Sequence, residues 1–116
     1  MKVAQAFKLK AGELVTKLQE RFPGRLVVAG IALAQASDQF VLDQYIANVH
    51  VPYGDRIRAR DEQFFMTVDP VEDPMNMTSL LRGLWSEMSE EDRSVVWRYL
   101  DIFEKLADRA SGKSVP

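Results

Sequence analysis

The chain is expected to fold as an all-α protein, a compact bundle of about six helices, and three observations carry that expectation. Apolar residues recur at steps of three and four along most of its length. Ser37-Asp38 and Ser89-Glu90-Glu91-Asp92 read as capped helix starts, the second with acids placed where the helix dipole favours negative charge. The one β-rich run, Leu26–Leu33, has no second such run nearby to pair with.

The first helix is predicted from Val3, Phe7, Ala11, Leu14, Val15, Leu18 and Phe22, one apolar stripe about five turns long. Gly12 interrupts it at a cost of about 1 kcal/mol relative to alanine. Pro23-Gly24-Arg25 ends it, since proline restrains its predecessor and cannot continue the ladder. The run RLVVAGIALAQA, residues 25–36, continues into Ala32, Ala34 and Ala36 and is expected to be a short, nearly fully buried helix. Ser37 or Asp38 then caps a third, with Val41, Leu42, Tyr45, Ile46 and Val49 as its stripe.

VHVP, residues 49–52, reads as a break, with Pro52 opening a new helix where its missing amide does no harm. Tyr53, Ile57, Phe64 and Phe65 give that helix its apolar face. VDPVEDPMNM, residues 68–77, is an acidic, proline-containing linker joining two helical parts of a single domain over 1–110. The closing hairpin uses Leu80, Leu81, Leu84, Trp85 and Met88, then Val96, Tyr99, Leu100, Phe103, Leu106 and Ala107. Residues 111–116 are expected to form a flexible tail.

With 116 residues, 47% of them hydrophobic and 28% charged, the chain suits one globular domain. It has no cysteine, which excludes disulfides, thiolate metal sites and cysteine nucleophiles. No apolar run approaches the roughly 20 residues of a membrane span, and residues 1–15 lack the pattern of a signal peptide. A soluble intracellular protein is therefore expected, without membrane association. Charge is unevenly placed. Residues 1–60 hold nine basic and five acidic side chains, net +4; residues 61–116 hold six and twelve, net −6. Such a division either orients a partner or a second copy, or draws the two halves of one chain together.

The stretch most suggestive of chemistry is PYGDRIRARDEQFF, residues 52–65. On a helix Arg56 and Arg60 share a face while Arg58 points about 200° away, so the three cannot cradle one phosphate. Arg58 is placed to pair with Asp61 or Glu62, at i+3 and i+4. The stretch is chiefly a solvated helix face, and Arg56 and Arg60 are candidates for binding an acidic partner surface. Trp97 is the third candidate. It lies off the Val96/Leu100/Phe103 line, near Arg93 and Asp101, either packed on a neighbouring helix or exposed as an anchor. His50, the lone histidine, is expected at the surface or a helix end.

No catalytic set, cofactor site or metal site can be assembled. Asp69, Glu72 and Asp73 lack the spacing and the central glycine of a calcium loop. No serine occupies a GxSxG elbow, no glycine-rich loop precedes a lysine at phosphate-loop spacing, and adjacent carboxylates on a helix diverge. Nucleic acid is disfavoured by the acidic balance, though Lys2, Lys8, Lys10 and Lys17 on the first helix could touch a phosphate backbone.

Phe22-Pro23, then Pro52-Tyr53 with Ile57 and Arg60-Asp61-Glu62-Gln63-Phe64-Phe65, then Leu81, Trp85, Met88-Ser89 and Val96-Trp97-Arg98-Tyr99-Leu100 carry a resemblance. The chain resembles small uncharacterised helical proteins of large nucleocytoplasmic DNA viruses of algae and protists. That likeness spans residues 7 to 107 and implies a viral origin and a helical fold, with host cytoplasm, nucleus or virion as its place. The functional expectation is a non-enzymatic helical module that binds another protein or itself. A structural virion component and a nucleic-acid-associated protein are the alternatives.

Overall fold

The computed structural model describes residues 2–61, 63 and 83–110. Among these the chain is helical, without strands, as expected from its periodicity. In order come α1 (Val3–Arg21), α2 (Val27–Gln35), α3 (Asp38–Tyr45), a π-helical segment (Ile46–His50), α4 (Val51–Arg58) and α5 (Glu90–Ala110). The linker 68–77, Phe64, Phe65, Leu80, Leu81 and the tail 111–116 lie outside the described residues.

α1 and α5 are the long helices, and their predicted stripes are the core. Phe7, Ala11, Leu14, Val15 and Leu18 of α1 are buried with Val96, Leu100, Phe103 and Ala107 of α5. α1 packs on α2, α3 and α5, and α4 packs on α5. Phe7 meets Phe103 at 4.8 Å and Tyr45 at 5.0 Å between ring centroids, which joins α1, α5 and α3 at one point. Leu84, Trp85 and Met88 are buried, and Trp85 sets its ring edge-on to Trp97 at 5.6 Å.

Both predicted serine caps form. Ser37 Oγ accepts from the Phe40 amide and Ser89 Oγ from the Asp92 amide, each at 3.1 Å. α1 ends at Phe22-Pro23-Gly24, with Gly24 at φ 82°, a left-handed turn that only glycine takes without strain. Among the described residues, four ion pairs draw the unevenly charged parts of the chain together. Arg21–Asp92, Arg25–Glu87, Arg58–Glu104 and Arg60–Asp101 each join the basic first part to the acidic second.

Two expectations about the elements are corrected. VHVP does not break the helix: His50 and Val51 keep helical dihedrals, and the Val51 amide donates to the Ile46 carbonyl five residues back. A proline ring crowds the carbonyl four residues before it and brings no donor. Widening one turn to π geometry before Pro52 opens that crowded point, so the chain stays helical from Asp38 to Arg58. The wider turn also lets adjacent residues Val49 and His50 both be buried.

The second correction concerns α2, which is not nearly buried. Leu26, Ala29 and Leu33 face the core, while Val27 is 49% exposed, Ile31 53% and Val28 76%. A run that is apolar on every side has no periodicity to say which side is covered. Only its neighbours decide, and α2 has α1 on one flank alone among the described helices in extensive contact.

Candidate functional site

Two regions contain the chemistry of the described residues. The first is where the π segment and α4 meet α5, and it includes the three arginines singled out in the sequence. α4 stops at Arg58, so the helical projection does not extend to Arg60. The Asp61 amide donates to the Arg56 carbonyl at 2.9 Å and the Arg60 amide to the Ile57 carbonyl at 3.0 Å, a Schellman end. Arg60 occupies its left-handed position at φ 58°, where glycine is usual.

This reversal explains the observed pairing. Asp61 swings back to Arg56, Nε to Oδ2 at 3.1 Å, rather than to Arg58. Arg58 pairs instead with Asp55 at 2.7 Å and with Glu104 of α5 at 2.9 Å. The expected Arg58–Asp61 pair is thus corrected, and Glu62 lies outside the described residues. Arg60 reaches Asp101 at 2.7 Å and lays its guanidinium over the Trp97 ring, 5.4 Å from the centroid. Trp97 itself is buried. Arg60 and Trp97 are therefore brought together, but by each other and α5, while Arg56 stands apart beside Asp61.

At the centre of the region is Glu104, which sequence reading passed over. Its carboxylate is 4% accessible and accepts from Tyr45 Oη at 2.7 Å, His50 Nδ1 at 3.0 Å and Arg58 Nη1 at 2.9 Å. His50, expected at the surface or a helix end, closes the π-helical segment and is buried, and its Nε2 faces Asp108 Oδ1 at 3.2 Å. Both ring nitrogens thus meet carboxylate oxygens. Burial first, and Glu104 second, hold the Tyr45 phenol well above its ordinary range, so it stays a donor. Gly54 makes the packing possible, since a Cβ there would stand 2.7 Å from Glu104 Oε1.

A glutamate within the Leu100–Phe103–Ala107 stripe was the available signal, because a charge on a buried face demands partners. Its partners lie 46 to 59 residues away in sequence, so spacing could not name them. Chemically the cluster is a closed clamp. Each Glu104 contact is to the protein's own side chains, and both His50 nitrogens are in direct contact with carboxylates. Among the described residues no group of acids and histidine is arranged to hold a metal ion.

The second region is the outer face of α1 and α2. A shallow groove of about 450 Å³ runs between them, with Val27, Ile31 and Ala34 on one wall, Thr16 on the other and Gly12 along its length. Val28 of α2 and Leu9 of α1 are exposed as well. Gly30 allows the close approach behind the groove, since a Cβ there would meet Gln19 at 3.3 Å and Val15 at 3.6 Å. Lys8 Nζ donates to the carbonyls of Ala34 and Ala36, neutralising the C-terminal end of α2 from α1.

No helix of the described residues is long and apolar enough to cross a membrane. Comparison with protein-family models, with curated proteins and with solved structures returned no match.

Proposed function

We propose that this protein is a non-enzymatic helical interaction module and that its working surface is the outer face of α1 and α2. The observation that carries the reading is the exposure of Val27, Val28 and Ile31 on a helix with no charged side chain. Each such side chain gains roughly 1–2 kcal/mol when a partner covers it. Three exposed apolar side chains within five residues of one helix make a patch of the kind that marks an interaction surface. The polar clamp around Glu104 supports the non-enzymatic part, because the Glu104 carboxylate and the His50 ring are both buried and engaged by their own partners. Arg56 and Arg60 are half-exposed and could add contacts at a second edge. A viral origin is proposed on the sequence resemblance alone.

The test is affinity capture of the tagged protein from lysate, with nuclease, in three forms. The Val28→Glu/Ile31→Glu form should lose the stoichiometric partner while keeping its helical circular dichroism. The Arg56→Glu/Arg60→Glu form should keep it. An identical captured set for wild type and the α2 double variant would reject the assignment of this face.

A further inference from the structure

We infer that the outer ridge of α5 docks on the phosphate backbone of a nucleic-acid duplex, without regard to base sequence. The ridge belongs to a helix that makes no extensive contact with α2. Arg98, Lys105 and Arg109 follow one another at steps of seven and four, which keeps them within about 40° of one another around the helix. All three are exposed, and so is Lys2. Phe7 meets Phe103, Glu13 meets Tyr99 and Arg21 meets Asp92, so α1 runs antiparallel to α5. Lys2 therefore lies at the same end of the pair as Lys105 and Arg109.

The charge of these four is uncompensated. Arg21, Arg25, Arg56, Arg58 and Arg60 each meet a carboxylate, whereas Lys2, Arg98, Lys105 and Arg109 form no ion pair among the described residues. The acids of this half of α5 are engaged on its other sides, Asp101 by Arg60, Glu104 by His50 and Arg58, and Asp108 by His50. Glu20, Glu90 and Glu91 lie at the opposite end of α1 and α5. The helix dipole accounts for Arg109 in the last turn but not for Arg98 in the middle of the helix. A protein interface needs an apolar core, and the ridge offers only Ile102, itself half-buried. A phosphate backbone needs none, because release of its condensed counterions drives binding. Single strands are held by stacking bases on aromatic rings, and Trp97, Tyr99 and Phe103 of α5 are all buried, so a duplex is the better fit. From Arg98 to Arg109 the ridge is about 16.5 Å long, over which one strand of a duplex carries about five phosphates.

Fluorescence anisotropy of a labelled random-sequence DNA duplex of about 20 base pairs, titrated with the full chain from about 50 to about 200 mM salt, tests this. Four phosphate contacts should give a slope of log K against log salt of about −3.6, and a loss of affinity on the order of 100-fold over that range. Arg98→Gln/Lys105→Gln should make the slope shallower by about 1.8 and weaken binding at low salt by more than about 30-fold. The charge-matched Lys17→Gln/Arg25→Gln lies off the ridge and should stay within about 3-fold of wild type. All four positions are exposed, so both variants should keep the wild-type circular dichroism. A single strand of the same length should bind more weakly. Absence of duplex binding at about 50 mM salt, or equal losses in the two double variants, would overturn the proposal. So would tighter binding of the single strand. Displacement of the duplex by poly-glutamate as effectively as by unlabelled DNA would assign the ridge to an acidic protein instead and overturn it too. The α2 face is judged by protein capture after nuclease, so its assignment and this one fail separately.

Discussion

Removing the Glu104 carboxylate should be among the most damaging single changes to this fold. In Glu104→Ala, Tyr45 Oη loses its acceptor in a buried position, at a cost of roughly 1–3 kcal/mol. His50 loses the acceptor at Nδ1 while keeping Asp108 at Nε2, for a further roughly 1–2 kcal/mol. Arg58 is half-exposed and keeps Asp55, so screening by solvent holds its share to under about 1 kcal/mol. The sum, about 2–6 kcal/mol, is centred on the ~3–5 kcal/mol usual for breaking a buried ion pair from one side, and that narrower range is the expectation. Urea denaturation followed by circular dichroism reads it directly. With m about 1.5 kcal/mol/M the midpoint should fall by ~2–3 M at unchanged m, and Tm by ~12–20 °C. Glu104→Gln keeps the length and one acceptor oxygen and should lose about half as much. A loss below about 1 kcal/mol in Glu104→Ala would refute the reasoning, because the clamp would then be a surface pair in effect.

Gly54→Ala tests the same packing with the sign reversed. Inside a helix this change ordinarily stabilises by up to about 1 kcal/mol. Here the new Cβ would displace a carboxylate tied to three donors, so destabilisation of about 2 kcal/mol is expected from the same denaturation curves, and any stabilisation would count against the clamp. Tyr45 sets the alkaline limit. Its phenol pKa is raised in the folded state by burial and then by Glu104, so its contribution is complete below about pH 10 and is lost as pH climbs towards the raised value. Its phenolate absorbance should appear only with the loss of helical dichroism, and Tyr45→Phe should flatten that alkaline decline. At Arg60, Arg60→Gly relieves the left-handed backbone and Arg60→Ala does not, while both lose Asp101 and Trp97. The glycine form should be the more stable by about 1 kcal/mol in thermal melts, and equal stabilities would mean the position carries no strain.

What could be read along the chain was whatever depends on near neighbours. The stripes of α1 and α5 announce themselves because a helix repeats its face every three or four residues. Ser37 and Ser89 announce helix starts because a cap is satisfied by an amide three residues on. Burial of Trp85 followed from its place between Leu84 and Met88.

Tertiary structure decided the rest, for the converse reason. The π turn arose because continuing the helix past Pro52 buries His50 against α5, a benefit that VHVP alone does not reveal. Arg58 found Glu104 rather than Asp61 because the chain reverses at Arg60 and carries Asp61 back to Arg56. α2 is apolar on both sides, so its sequence demands cover without saying how much the fold supplies. The bundle covers one side and leaves Val27, Val28 and Ile31 outside. Local periodicity specifies which residues form helices; only the packing of those helices determines which buried charges meet and which apolar face is left exposed.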